Sequence, residues 1–156
     1  MGVNVEMKKI LYIDMDDVLA DFLKSYHHHV KMNPAIQFPQ ATYGFFSELE
    51  PIPNAIESVK KLIADEQFDV YVLTAPSVRN PMCYTEKRLW IEKYFGLEFC
   101  ERLIICSNKG LIKGDFLIDD YASGKGQEHF QGELLHFGPK AKYPTWADIL
   151  EVLNNY

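Results

Sequence analysis

Three acids crowd the end of the apolar run KKILYIDMDDVLADF: Asp14, Asp16 and Asp17 follow Ile10–Ile13, and apolar residues resume at Val18. Like charges this close repel, and carboxylates drawn toward a core lose hydration, so the pattern asks for a cation nearby. Later in the chain Thr74 closes a second apolar run, Lys109 follows a third, and the pair Asp119–Asp120 closes a fourth. Each residue type has a job in phosphoryl transfer. A carboxylate such as Asp14 can attack phosphorus to form an aspartyl-phosphate, dividing a difficult hydrolysis into two easier steps. Asp16 is placed to protonate a leaving alcohol and then to activate water. Thr74 and Lys109 suit phosphate oxygens and the charge that develops on them. A hard, oxygen-ligated cation, Mg²⁺ foremost, fits Asp14, the backbone carbonyl of Asp16 and Asp119, with Asp120 as a further or outlying acid.

The elements that must position these groups alternate along the chain. Short β-branched and aromatic runs at Ile10–Asp14, Val70–Thr74, Leu103–Cys106, Phe116–Ile118 and Leu134–Phe137 read as strands buried on both faces. Helical patterns separate them. PNAIESVKKLIADE carries Ile56, Val59, Leu62 and Ile63 at helical spacing, with Asn54 and Glu57 as a capping box. TEKRLWIEKYFG sets Leu89, Trp90, Ile91 and Phe95 on one stripe and stops at Gly96, and TWADILEVL starts from Thr145 with Asp148 three residues on. This alternation predicts an α/β fold, a Rossmann-like parallel sheet flanked by helices. In such sheets ligands bind beyond the carboxyl ends of the strands, where Asp14, Thr74 and Asp119 fall and to which Lys109 is led. Lys109 is preferred to Lys113 because it comes at the end of a strand, before the turn. About forty residues separate the first strand from the helix at 54, too many for a plain connection. They predict a small helical cap over residues 22–51, inserted into a core made of 1–21 and 52–156.

Composition narrows the function classes. With 156 residues, 47% hydrophobic and 24% charged, the chain resembles an ordinary globular domain. A net charge of −6 argues against binding a nucleic-acid polymer or an acidic membrane, though not against a small phosphate ester held by a metal and a lysine or two. Cys83, Cys100 and Cys106 are an odd count with no CxxC spacing, which fits reduced thiols. No apolar stretch is long enough for a membrane helix or a signal peptide, so the cytoplasm is the expected location. The sequence leaves room for a homodimer. His27–His29 read as a solvated helix face, since adjacent helical side chains do not converge on one ion. ASGKGQ at 122–127 lacks the spacing of a nucleotide-binding loop and reads as a flexible loop near the mouth of a site.

Taken in order, D-x-D-x-V at 14–18, Thr74, Lys109 and Asp119–Asp120 resemble the four motifs of the haloacid dehalogenase superfamily. The second acid, Asp16, is what its phosphatases carry. DMDDVLADF, GFFSELEPIPNAIESV, LTAPS, EKRLWIEKYFG and DFLIDD look more closely like the 5′(3′)-deoxyribonucleotidase family. That resemblance implies a Mg²⁺-dependent phosphatase with a small helical cap, acting on nucleoside monophosphates. It also implies that Phe22, Phe45 and Phe46 line the base pocket, as stacking on a flat heterocycle would require. Two positions depart from the family pattern: Asp17 stands where glycine is usual, and Ala75 where some members have serine. The alternatives are a phosphatase for another small phosphate ester, an idle nucleotide binder and, further off, a receiver-type signalling domain, which also groups aspartates, threonine and lysine around Mg²⁺.

Overall fold

The computed structural model describes residues 6–156; the first five residues of the expected core lie outside the described residues. Five strands form one sheet: β1 (Lys9–Ile13), β2 (Phe68–Thr74), β3 (Leu103–Ile105), β4 (Phe116–Asp119) and β5 (Glu133–His136). All pair in parallel, in the order β3-β2-β1-β4-β5. The α/β reading of the sequence holds, with strand ends shifted by one or two residues. Burial explains the apolar runs: Leu11, Ile13, Val72, Leu73, Leu117 and Ile118 are each between two layers and closed to solvent.

Register decides where the functional groups emerge. Ile13 lies opposite both Val72 and Ile118, and the Asp14 amide donates to the Ile118 carbonyl at 2.8 Å. Asp14, Thr74 and Asp119 therefore leave the sheet along one carboxyl rim. From β1 the chain builds outward to β2 and β3, then returns to add β4 and β5 on the other side. The reversal lies between β1 and β4, the crevice in which open α/β sheets bind ligands, and Asp14 and Asp119 flank it.

Among the described residues four helices complete the fold: α1 (Phe22–Met32), α2 (Ala55–Ala64), α3 (Cys83–Phe95) and α4 (Trp146–Leu153). The expected box at α4 is present in full, with the Thr145 side chain accepting from the Asp148 amide and the Asp148 side chain accepting from the Thr145 amide. The expected box at α2 is absent. Asn54 sits in the left-handed region at φ 64° and makes no side-chain cap bond. Here a turn overrides the cap: the Ala55 amide donates to the Ile52 carbonyl at 3.1 Å, across Pro53 and a positive-φ Asn54. The buried stripe of α3 also differs from the expected one. It consists of Cys83, Glu86, Lys87, Trp90 and Ile91, while Leu89 is 45% exposed.

Residues 22–51 hold α1 and a 3₁₀ turn at Pro39–Ala41. This excursion leaves and re-enters the core at one point, where the Asp21 amide donates to the Glu50 carbonyl and the Ile52 amide to the Leu19 carbonyl, both at 2.8 Å. Phe45, Phe46 and Leu49 carry it into the main core, and the Trp90 indole nitrogen donates to the Leu49 carbonyl at 2.8 Å. His27 and His28 are exposed on α1, whereas His29 turns its Nδ1 to the Ser25 carbonyl at 2.8 Å. Among the described residues no helix is long and apolar enough to cross a membrane.

Trp146 ties α4 to the loop that follows β1. Its ring is buried and its indole nitrogen donates to the Val18 carbonyl at 3.0 Å. Trp146→Phe keeps most of the ring and leaves that carbonyl unpaired, so urea unfolding should show a loss of about 1–3 kcal/mol. An unchanged midpoint would contradict the tether.

Candidate active site

The rim closes over a cavity of about 250 Å³. Asp14, Asp16 and Asp17 from the loop after β1, Lys109 from the turn after β3, and Asp119 and Asp120 from the end of β4 form its polar wall. Phe22, Leu23, Gln40 and Phe46, together with Ala75–Ser77 after β2, complete its lining. Phe22 and Phe46 line this cavity. Phe45 does not: it is buried, with its ring centroid 5.3 Å from Phe22 and 5.1 Å from Phe46 in edge-on contacts.

Lys109 holds the acids together. Its buried ammonium donates to Asp14 Oδ1 at 2.7 Å and to Asp119 Oδ2 at 2.5 Å. Burial works to discharge it, but Asp14 and Asp119 outweigh that and raise its pKa. The loop at 122–127, expected to be flexible, is what fixes this lysine. The Lys109 amide donates to the Lys125 carbonyl at 2.7 Å, and the buried Gln127 side chain accepts from the Lys125 amide at 2.8 Å while donating to Asp119 at 3.3 Å. Gly126 makes the closure sterically feasible: at φ 84°, a Cβ there would lie 2.0 Å from Asn108 Oδ1 and 2.7 Å from the Gly110 nitrogen.

A second buried lysine, Lys87 of α3, escaped the sequence reading. It is fully buried and its ammonium donates to Asp16 Oδ2 at 3.0 Å, Thr74 Oγ1 at 2.6 Å and the Ala75 carbonyl at 2.9 Å. Thr74 therefore faces Lys87 and does not line the cavity directly; its own proton goes to the Ala75 carbonyl over a long 3.4 Å. The signal for Lys87 was present in the register of α3. A lysine four residues after Cys83 and four before Ile91 shares their face, so it had to enter the core.

Burial raises the pKa of most of the acids. Asp16 is raised, chiefly by burial and against the pull of Lys87. Asp119 is pushed up to about 6 by burial and then by Asp14, and Asp120 up to about 9 for the same two reasons. Asp17, also lifted to about 6 by burial, adopts φ 59° and anchors the start of α1 by accepting from the Leu23 amide at 2.9 Å. Asp120 Oδ1 and Asp16 Oδ1 are buried without a hydrogen-bonding partner among the described residues. Asp14, Asp119 and Asp120 each bring a carboxylate oxygen within 4.8 Å of the others. Clustered oxygen donors, orphaned oxygens and pKa values pushed upward are what a hard divalent cation would relieve, so the residues present fit one.

The sign of the pH effect follows. Acids that hold their protons more tightly folded than unfolded stabilise the fold at low pH and stop doing so as pH rises through the folded pKa. Metal-free protein should therefore melt at progressively lower temperature from about pH 5 to pH 9, as Asp17 and Asp119 and then Asp120 ionise. Millimolar Mg²⁺ should raise the melting temperature more at pH 8 than at pH 5, because binding needs the ionised acids. A melting temperature indifferent to the ion at both values would contradict the site.

The family model described as 5′ nucleotidase, deoxy (pyrimidine), cytosolic type C protein matches residues 31–143. A relative from Vibrio phage KVP40 is 34% identical over 95% of this chain and 86% of its own. The human cytosolic-type 5′(3′)-deoxyribonucleotidase is 31% identical over 88% of this chain and 77% of its own, and the human mitochondrial enzyme 32% over 87% and 78%. Among solved structures, a HAD-hydrolase of Bacillus subtilis bound to magnesium superposes with a TM-score of 0.67 at 13% identity, covering 96% of this chain and 100% of that one. At that identity the likeness concerns the fold.

Proposed function

The chain belongs to the 5′(3′)-deoxyribonucleotidase family, and from that premise we propose that it hydrolyses deoxyribonucleoside monophosphates to nucleoside and phosphate with Mg²⁺. The observation that carries the reading is one cavity lined both by Asp14, Asp16, Lys109 and Asp119 and by Phe22 and Phe46. The acids and the lysine suit a phosphate ester, and the two rings suit a flat heterocycle.

The residues divide the work. Asp14 attacks phosphorus; its Oδ–P bond forms as the ester P–O bond breaks, and the departing oxygen takes the proton of Asp16. Burial raises the Asp16 pKa, which favours the protonated form that a general acid requires. Water then attacks the aspartyl-phosphate, gives its proton back to Asp16, and releases phosphate from Asp14. Lys109 turns from its two carboxylates toward the phosphoryl oxygens and stabilises their charge. Thr74, buried just behind the lining formed by Ala75–Ser77, would reach the phosphate by giving up its long bond to Ala75, while Lys87 holds both Thr74 and Asp16 in place. Mg²⁺ held by Asp14, Asp119, Asp120 and the Asp16 carbonyl would neutralise the incoming phosphate and leave phosphorus open to attack. Residues 22–51 form the cap that shuts this cavity over the base, on a core of 1–21 and 52–156.

Phosphate release from a panel of monophosphates tests the reading: deoxy- and ribonucleotides, 5′ and 3′ esters, sugar phosphates and p-nitrophenyl phosphate, each with Mg²⁺ and with EDTA. Expected are a preference for deoxynucleotides, loss of activity in EDTA, and a fall of at least about 10³-fold in Asp14→Asn, in the range seen when a catalytic nucleophile is removed. Cleavage confined to sugar phosphates would discard the nucleotide assignment, and binding without cleavage would favour an idle nucleotide binder.

A further inference from the structure

Gln40 stands apart in the cavity wall. It comes from the 3₁₀ turn at Pro39–Ala41, and the reaction gives it no part. Its backbone is clamped: the carbonyl accepts from Asn80 Nδ2 at 3.1 Å, and Asn80, fully buried, also donates to the Thr42 carbonyl at 3.2 Å. Asn80 is itself fixed, since its Oδ1 accepts from the Met82 amide at 3.0 Å. Beside this clamp the Arg79 guanidinium lies over the Phe38 ring, 3.8 Å from its centroid. The turn is thus held against the loop after β2 at two points.

The side chain, by contrast, is unspent. Gln40 Oε1 is buried and no protein group donates to it among the described residues. A buried carbonyl oxygen without a donor costs free energy that a ligand bringing an N–H would recover. The same carboxamide carries an N–H₂ group beside that oxygen, so it matches a ligand edge on which a donor adjoins an acceptor. Nucleobases carry such edges, and the two aromatic rings that share the cavity, Phe22 and Phe46, suit the faces of the same heterocycle.

We propose that Gln40 is a specificity-determining residue that reads the hydrogen-bonding edge of the substrate's base, with Phe22 and Phe46 taking its faces. This rests on the nucleotidase reading above. Asn80 positions Gln40 through the backbone, so the side chain can be replaced without touching the clamp.

The test compares wild type, Gln40→Met and Gln40→Ala on the best deoxynucleoside monophosphate and on 2-deoxyribose 5-phosphate, which lacks the base. In the wild type kcat/KM favours the nucleotide. In both variants that preference shrinks by about tenfold, the value of one good hydrogen bond, and the loss falls on the nucleotide and chiefly in KM. A structural role would instead lower both substrates together and reduce the melting temperature. Variants that fold and keep the full wild-type preference, or that lose both substrates equally, overturn the assignment while the nucleotidase reading stands. A wild type that cleaves no nucleotide overturns both.

Discussion

The balance of charge at the carboxyl rim of the sheet is the constraint on which the rest depends. Asp14, Asp16, Asp119 and Asp120 meet where β1 and β4 part, and without cations they would repel each other in a site that water reaches poorly. The fold answers with two buried lysines from different directions. Lys109, on the turn after β3, bridges Asp14 and Asp119; Lys87, from α3, reaches Asp16 and Thr74. Much of the surrounding architecture serves to place these ammonium groups. The 122–129 segment closes on the Lys109 backbone, and the buried stripe of α3 sets Lys87 beneath the rim. The compensation is incomplete, as the upward shifts of Asp119 and Asp120 indicate, and the remaining deficit makes the rim receptive to a divalent cation.

Residues that end strands were legible in the sequence, because a strand buried on both faces announces itself as an unbroken apolar run and the first charged residue after it marks the rim. Asp14, Asp119 and Lys109 were found in this way. Lys87 was not, because lysine in a helical segment is usually solvated, and only the helix register reveals that it shares a face with Trp90 and Ile91. Asn54 shows a different failure: the local capping pattern was present, but the turn through Pro53 prevailed over it. Gln40 and Asn80 carry no local signal at all. Their pairing spans a sequence separation of 40, and only the folded chain brings them together.

The excursion over residues 22–51 connects fold to function. Its two ends are stapled to each other, where the loop after β1 meets the segment Glu50–Ile52, while Trp90 ties Leu49 to α3 and Asn80 ties Gln40 to the loop after β2. In the proposed cycle this places an aromatic wall over the phosphate site without taking residues from the catalytic rim. Substrate preference can then change within the excursion while the rim keeps the same chemistry. Asp17 joins the two parts, lining the cavity with its carboxylate and accepting from the first turn of α1.

In the proposed cycle Asp14 is phosphorylated during turnover and Asp16 manages the protons. Asp16→Asn, mixed with p-nitrophenyl phosphate and Mg²⁺, isolates the two steps, because nitrophenolate leaves without an acid while hydrolysis of the intermediate still needs a base. That cycle predicts a burst of nitrophenolate equal to the enzyme present, followed by slow turnover, with one phosphoryl group found by mass spectrometry on Asp14 after an acid quench. Steady release without a burst, with unmodified Asp14, would contradict it and would mean that water attacks phosphorus directly.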